Sequence, residues 1–422
     1  MTHTRILVLG AGGDMMSVAV QELAAHDPDL SLVCGDVDSR RLDRLMTALP
    51  PRSQAESLHL DLFDKPRLAE AVAEADLVVN GAGPFYRTAI AVIDSCLAAG
   101  VDYLDIGDDI EAAKAAIARD NDARHAGVSL LIGCGVSPGL TNLLAAELLA
   151  LLDNPQVIDV AWCVGDEGEQ VLGHAVLEHA LHMVSGQCLT WSSGSEATTI
   201  AWDHGEVFDF GPPLGHYQAF EVAHPEVVTL PRQSPGLREV RCFGALHPPP
   251  VNGLLRGIGR AVDLHKLDPE EAITFLGDIL AGKNGSLTGW RHALAGIREA
   301  RRRGDTSRGD NRRFLVDALR GRHQPFVGGI ACHVRGQRDN QAIQLARRSA
   351  RSGAGTALSS MAHITGNATA AFIRHAIDHR PPPGCHAPEG WADPSLFHKA
   401  MAAHGIPRDY LSPIEERPAS PR

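Results

Sequence analysis

The sequence predicts a doubly wound parallel α/β sheet followed by an α+β domain, and three observations carry that prediction. Short apolar runs alternate with helical segments over residues 1–145. Two of these runs end in small-residue turns, Gly10-Ala11-Gly12-Gly13 and Asn80-Gly81-Ala82-Gly83-Pro84. After about residue 150 the alternation gives way to β-branched stretches broken by turn signals. Strands that alternate with helices need crossover connections, and right-handed crossovers make a parallel sheet covered on both faces.

Taken in order, Arg5–Leu9 reads as a strand buried on both faces, because it is apolar without alternation. Leu30–Val33, Leu58–Leu60, Leu77–Val79, Tyr103–Ile106 and Ser129–Ile132 are the strands that follow. Helices over Ser17–Ala25, Leu42–Leu49, Pro66–Glu74, Ala89–Ala99 and Glu111–Arg119 separate most of them. Beyond them, Val157–Val164 reads as a strand and Val171–Val184 as a helix. Thr198–Phe210 and Val227–Phe243 are β-rich and predict antiparallel strands. Pro269–Leu280 and Trp290–Arg303 read as helices. Ile330–Val334 and Ala342–Leu345 flank a polar turn and predict a hairpin. Met361–His379 is an alanine-rich helix that Pro381-Pro382-Pro383 ends, and the charged, proline-rich tail after Pro407 predicts fraying. The domains are then 1–145 for a dinucleotide, 146–355 for substrate and dimer contacts, and 356–422 for a return to the first domain plus a tail. No internal repeat is present.

Composition narrows the function. A chain of 422 residues exceeds what one core usually supports. The 44% hydrophobic and 21% charged fractions are those of an ordinary globular protein. A net charge of -12 argues against nucleic-acid or anionic-membrane partners, and no apolar run reaches the roughly 20 residues of a membrane span. The N-terminus leads straight into a strand, which leaves no room for a signal peptide. Eight cysteines without a CxxC pair fit free thiols in a cytoplasmic protein.

Gly10-x-Gly12-x-x-Met15 is a dinucleotide fingerprint whose third glycine is replaced by Met15. Gly10 permits the tight turn, and Gly12 or Gly13 lets a pyrophosphate approach the backbone. The N-terminus of the following helix offers unpaired N–H donors and a positive partial charge, and Asp14 and Met15 join the loop as cofactor-binding candidates. Asp36, roughly 20 residues beyond the loop, suits the ribose hydroxyls of NAD and repels a 2′-phosphate. Arg40 and Arg41 nearby keep NADP possible. Asp61 ends the third strand and edges the adenine or is an ordinary solvated or capping carboxylate. Asn80, Gly81, Ala82, Gly83 and Pro84 lie at another strand end and would border the nicotinamide.

Here the residues resemble a family. VVNGAGPFYR, CLAAGVDYLDIGDD (Cys96–Asp109), GVSPGLTN (Gly135–Asn142), HPEVVTLPR (His224–Arg232), TGNATAAFIRHAI and APEGWADPSLFHKAMAAHGI (Ala387–Ile406) resemble, in that order, the saccharopine dehydrogenase and lysine 6-dehydrogenase group. The resemblance implies a Rossmann domain built from both chain ends, a central domain for substrate and subunit contacts, a homodimer, and hydride transfer at a carbon bearing nitrogen. Two features depart from it: Met15, and the Arg-rich stretch Trp290–Arg322.

The site residues follow. Asp105, Asp108 and Asp109 close one strand, where carboxylates would hold an ammonium or take its proton. N-capping of the next helix is the plain alternative for Asp108 and Asp109. His174 opens a helix beside Gly173 and is a candidate proton relay; with Glu178 and His182 it shares a helix face, but HExxH is absent and no metal is expected. Asn142 either contacts substrate or fixes its loop. Arg232 is either a bidentate partner for a substrate carboxylate or a surface residue. The run Arg301-Arg302-Arg303 reads as a solvated helix end. The expected protein is an NAD(P)-dependent oxidoreductase acting on the CH–NH group of an amino acid or opine-like amine. Its rivals are a polyamine-synthase-like enzyme that uses NAD transiently and an NAD-binding sensor without catalysis.

Overall fold

The computed structural model describes residues 4–165, 174–281, 283–320, 322 and 324–419. The chain divides into two compact units. The first comprises 1–151, 224–234 and 361–409; the second comprises 152–223, 235–360 and 410–422.

The first unit is built on a seven-stranded sheet. Its strands are β1 (Thr4–Leu9), β2 (Leu30–Asp36), β3 (Ala55–His59), β4 (Leu77–Asn80), β5 (Asp102–Asp105) and β6 (Ser129–Leu131), joined by a C-terminal strand, Gly384–His386. The order is Gly384–His386, β6, β5, β4, β1, β2, β3, and every pair is parallel. The chain winds one way from β1 to β3 and the other way from β4 to β6, so the order reverses between β1 and β4. That switch point is where such sheets open a crevice for a ligand. The apolar runs are apolar because of burial: Ile6, Leu7, Val8 and Leu9 are all inaccessible to solvent. β3 is the edge strand and largely exposed, which is why its apolar signal is weak.

Local chemistry sets the helix ends. Asp38 caps the helix Ser39–Ala48 through the Arg40 and Arg41 N–H groups, and Asp64 caps Lys65–Ala73. Gly100, at φ +72°, closes Phe85–Ala99 in the left-handed conformation that a side chain would oppose. The helix after the glycine loop begins at Asp14, three residues before the expected start.

The second unit holds a nine-stranded mixed sheet. Asn154–Val164 lies at its centre, with Glu239–Leu246 parallel on one side and Gly329–Arg338 antiparallel on the other. Gly329–Arg338 and Gln341–Arg348 form the predicted hairpin. Asp339 and Asn340 both take positive φ (53° and 60°), as a two-residue type I′ turn requires. The helices His174–Val184, Pro250–Asp263, Pro269–Leu280, Leu287–Arg303 and Arg308–Leu319 complete it. All eight cysteines are buried free thiols. No helix among the described residues is long and apolar enough to cross a membrane.

Two expectations are corrected. Val227–Gln233 is helical rather than a strand, within Glu226–Gln233, and packs in the first unit. Val227, Thr229 and Leu230 of that segment are buried, and tertiary burial overrides the β propensity of Val and Thr. The described tail after Pro407, to residue 419, does not fray. Arg408–Tyr410 forms a 3-10 turn, and Glu415–Pro418 pairs antiparallel with Gln341–Arg348 as a sheet edge.

Candidate functional site: a dinucleotide cleft and a buried acid cluster

The two small-residue turns meet at the switch point. Leu9 pairs with Asn80, and Gly81 N–H donates to the Leu9 carbonyl at 2.9 Å. A Cβ on Gly10, which sits at φ +69°, would stand 2.9 Å from the Ala82 backbone, so only glycine allows this approach. Gly12 N–H donates to Asp36 Oδ2 at 3.0 Å, and Asp38 N–H donates to Asp36 Oδ1 at 2.9 Å. Asp36 is thus fastened at the end of β2, against the glycine loop. Asp14 is exposed in the first helical turn, where backbone N–H groups lack intrahelical partners. Asp61 is exposed and accepts from Phe63 N–H at 2.9 Å; Phe63 and Val37 stand 67% and 63% exposed at the ends of β3 and β2.

Met15 replaces the fingerprint's third glycine, and the small residues appear on the partners instead. Met16 is buried where Gly81 leaves room: a Cβ there would lie 2.0 Å from Met16 Cγ. Gly366, in the helix Met361–Asp378, would place a Cβ 2.5 Å from Val18 Cβ and 2.8 Å from the Met15 carbonyl oxygen. Close packing of this helix is kept by glycines that face it. A loop stripped of Cβ atoms at the start of a helix fits a dinucleotide pyrophosphate.

A polar clamp joins the next strand ends. Asn80 is buried; its Nδ2 donates to the Tyr103 hydroxyl at 3.2 Å, and its Oδ1 accepts from Ala82 N–H at 3.1 Å. Tyr103 donates onward to Asp105 Oδ2 at 2.8 Å. Asp105 Oδ1 accepts from Gly107 N–H at 2.9 Å and Gly133 N–H at 2.8 Å. Burial raises the Asp105 carboxyl above its usual range, against the lowering effect of these hydrogen bonds. Pro84 opens the helix Phe85–Ala99, and buried Asp109 accepts from Tyr86 N–H in its first turn at 3.1 Å. Asp109 therefore caps the helix after the Asn80–Pro84 turn; toward its own helix it makes no side-chain cap bond.

Three distant segments supply a second cluster in the same unit. His224 Nδ1 lies 3.1 Å from Glu226 Oε2, and Ser137 Oγ donates to Glu226 Oε1 at 2.6 Å. Thr141 Oγ1 donates to the same oxygen at 2.9 Å. Burial works against charge on Glu226, yet the neighbouring His224 and the hydrogen bond from Ser137 hold its carboxyl below the usual range. Asp108 offers a carboxylate oxygen within 4.8 Å of a ring nitrogen of His224. Asn142 is fully buried: its Oδ1 accepts from Gly139 N–H at 2.8 Å, and its Nδ2 donates to Thr229 Oγ1 at 3.2 Å and Glu389 Oε2 at 2.8 Å.

Of the predicted site residues, the structure gathers Asn80, Gly81, Ala82, Asp105 and Asp109 into one clamp and sets Asp108 beside His224. Arg232 donates to the Cys385 carbonyl at 3.0 Å and lies 3.3 Å from Asp120 Oδ1, tying its helix to the C-terminal strand. His174 is the first residue of its helix, and its side chain lies outside the described residues. Sequence reasoning missed Ser137, His224, Glu226, Thr229 and Glu389. His224-Pro225-Glu226 and Glu389 sit inside blocks that carry the family resemblance, and that was the available signal.

Residues 6–131 match the family described as saccharopine dehydrogenase NADP binding domain. Carboxyaminopropylagmatine dehydrogenase from Synechocystis is 23% identical over 277 residues, which is 63% of this chain and 68% of that protein. A trans-acting enoyl reductase from Mycobacterium leprae is 24% identical over 132 residues, 31% of this chain and 32% of that one. Among solved structures, saccharopine dehydrogenase (L-Glu forming) from Saccharomyces cerevisiae has the same fold, with a TM-score of 0.61 over 99% of this chain and 100% of that chain at 16% identity. Residues 6–131 thus match a saccharopine dehydrogenase NADP-binding domain, which indicates an NAD(P) cofactor, and the chain shares the saccharopine dehydrogenase fold.

Proposed function

We propose that the protein is an NAD(P)-dependent oxidoreductase acting on a carbon–nitrogen single bond of an amino acid or opine-like secondary amine. The observation that carries this is the His224–Glu226 pair with Asp108 in reach of it. Asp108 adjoins Asp109, whose carboxylate holds the helix that starts after Pro84. An acid–base group thus stands in the same unit as the proposed nicotinamide turn. The similarity to carboxyaminopropylagmatine dehydrogenase agrees with chemistry at an amine.

Bound NAD(P) supplies a hydride acceptor or donor; the chain's residues handle the proton and the charge. Asp108 attracts the substrate ammonium. His224, its Nδ1 tied to Glu226, takes the amine proton at Nε2, and the Glu226 carboxylate stabilises the resulting imidazolium. The C–H bond then gives up its hydride and a C=N bond forms; reduction reverses both steps. Asp105, Asn80 and Tyr103 keep the strand ends in place. Asn142 and Arg232 serve the substrate side through the loop and helix they hold. The Asp36 carboxylate makes NAD the preferred dinucleotide. A homodimer in a reducing cytoplasm belongs to the same reading, and eight thiols without a disulfide suit it.

The test is to mix the protein with NAD or NADP and a panel of amino acids, diamines and amine–carbonyl pairs, and to follow reduced-cofactor absorbance. Tight cofactor binding with no redox turnover on any of them would sink the proposal.

A further inference from the structure

Glu389 is used by no step above, yet its setting is built. The carboxylate sits in the short turn Pro388–Gly390, and its Oε1 is shielded from solvent with no hydrogen-bond partner among the described residues. Its Oε2 accepts from Asn142, whose Nδ2 also reaches Thr229. Thr229 is three residues beyond Glu226 on the helix Glu226–Gln233, and Thr141, which donates to Glu226, adjoins Asn142 on the helix Leu140–Leu149. Glu226, which is buried, and Glu389, whose Oε1 is shielded, are therefore two carboxyls on one polar ladder. Two adjacent buried carboxylates cannot both ionise cheaply, so one keeps a proton. Glu226 is bound to His224 and to two hydroxyls, which favours its anion; the proton falls to Glu389.

We propose that Glu389 is a positioning acid that stores a proton behind the His224–Glu226 pair. Burial pushes the Glu389 carboxyl up to about 7, with the charge of Glu226 adding to it and hydrogen bonds from Thr229 and Asn142 opposing it. Besides Glu226, the titratable group that faces it is the thiol of Cys134, which burial, aided by Asp105 and Glu389, keeps protonated; the helix Leu140–Leu149 presents neutral Asn142. Near neutral pH the ladder thus passes between a singly and a doubly charged state.

The inference builds on the reading of His224 as the acid–base group, but it is tested on the protein alone. Infrared difference spectra of the wild type should show a protonated-carboxyl band below neutral pH that titrates away near pH 7 and is missing in Glu389→Gln. Should Glu389→Gln fail to fold, Thr229→Val, which removes a hydrogen bond to the carboxylate, should move the band's midpoint upward. A wild type without the band, or a band that persists unchanged in Glu389→Gln, overturns the proposal whether or not any amine is turned over.

Discussion

Replacing Asp105 separates an organising role from a chemical one. Its carboxylate accepts three hydrogen bonds from donors on three segments: Tyr103 on β5, Gly107 after it, and Gly133 after β6. In Asp105→Asn, Oδ1 keeps both glycine N–H groups, but the amide now presents a donor to a Tyr103 hydroxyl that already accepts from Asn80. One buried donor loses its acceptor and two bonds lose their charge assistance. At about 1–3 kcal/mol for an unsatisfied buried group, the variant should be about 2–3 kcal/mol less stable in urea unfolding. Asp105→Ala, which strands all three donors, should lose about 3–5 kcal/mol, short of a simple sum because neighbours relax. Asn80 hangs on the same chain of bonds, so NAD(P) affinity should fall along with stability. Urea melts and calorimetric titration of the cofactor read both. If Asp105→Asn keeps wild-type stability and cofactor affinity, the clamp argument is wrong and Asp105 acts on substrate alone.

Three further predictions follow from the geometry. His224→Gln should lower turnover of a cognate amine by about 10²–10⁴-fold with cofactor affinity unchanged, measured by steady-state kinetics and cofactor titration. Gly81→Ala pushes a methyl into Met16 and should cost about 1–3 kcal/mol; adding Met16→Ala should make the pair less destabilised than the two single losses summed, as a double-mutant cycle would show. Glu389 has a folded value raised above its unfolded one, so its contribution to stability is fully present below about 4.5 and is lost as pH rises through about 7. Stability of Glu389→Gln relative to wild type should therefore rise between pH 5 and pH 8, by at most about 3 kcal/mol, in unfolding curves at the two pH values.

Much of the first unit was legible because its strands are buried on both faces and spell continuous apolar runs. The glycine loop was legible for the same kind of local reason: backbone approach demands residues without Cβ atoms. Reading failed where burial contradicted propensity. Val227-Val228-Thr229 spells a strand, yet the segment is a helix whose Glu226 and Thr229 face Thr141 and Asn142. The Asp-rich turn at Asp105–Asp109 is polar in the sequence alone, with substrate contact or helix capping as its readings. Which helix Asp109 caps depends on a contact between Asp109 and Tyr86, across one crossover.

By itself the sequence determined the doubly wound sheet, the dinucleotide loop and the chemistry-bearing residue types at strand ends, because period, turn residues and apolar runs are local properties of the chain. Only tertiary structure decided that Ser137, His224, Glu226 and Glu389 share one polar ladder. Hydrogen bonds such as Asn142 to Glu389 span 247 residues. No local pattern encodes them, since their energy depends on which segments exclude water together.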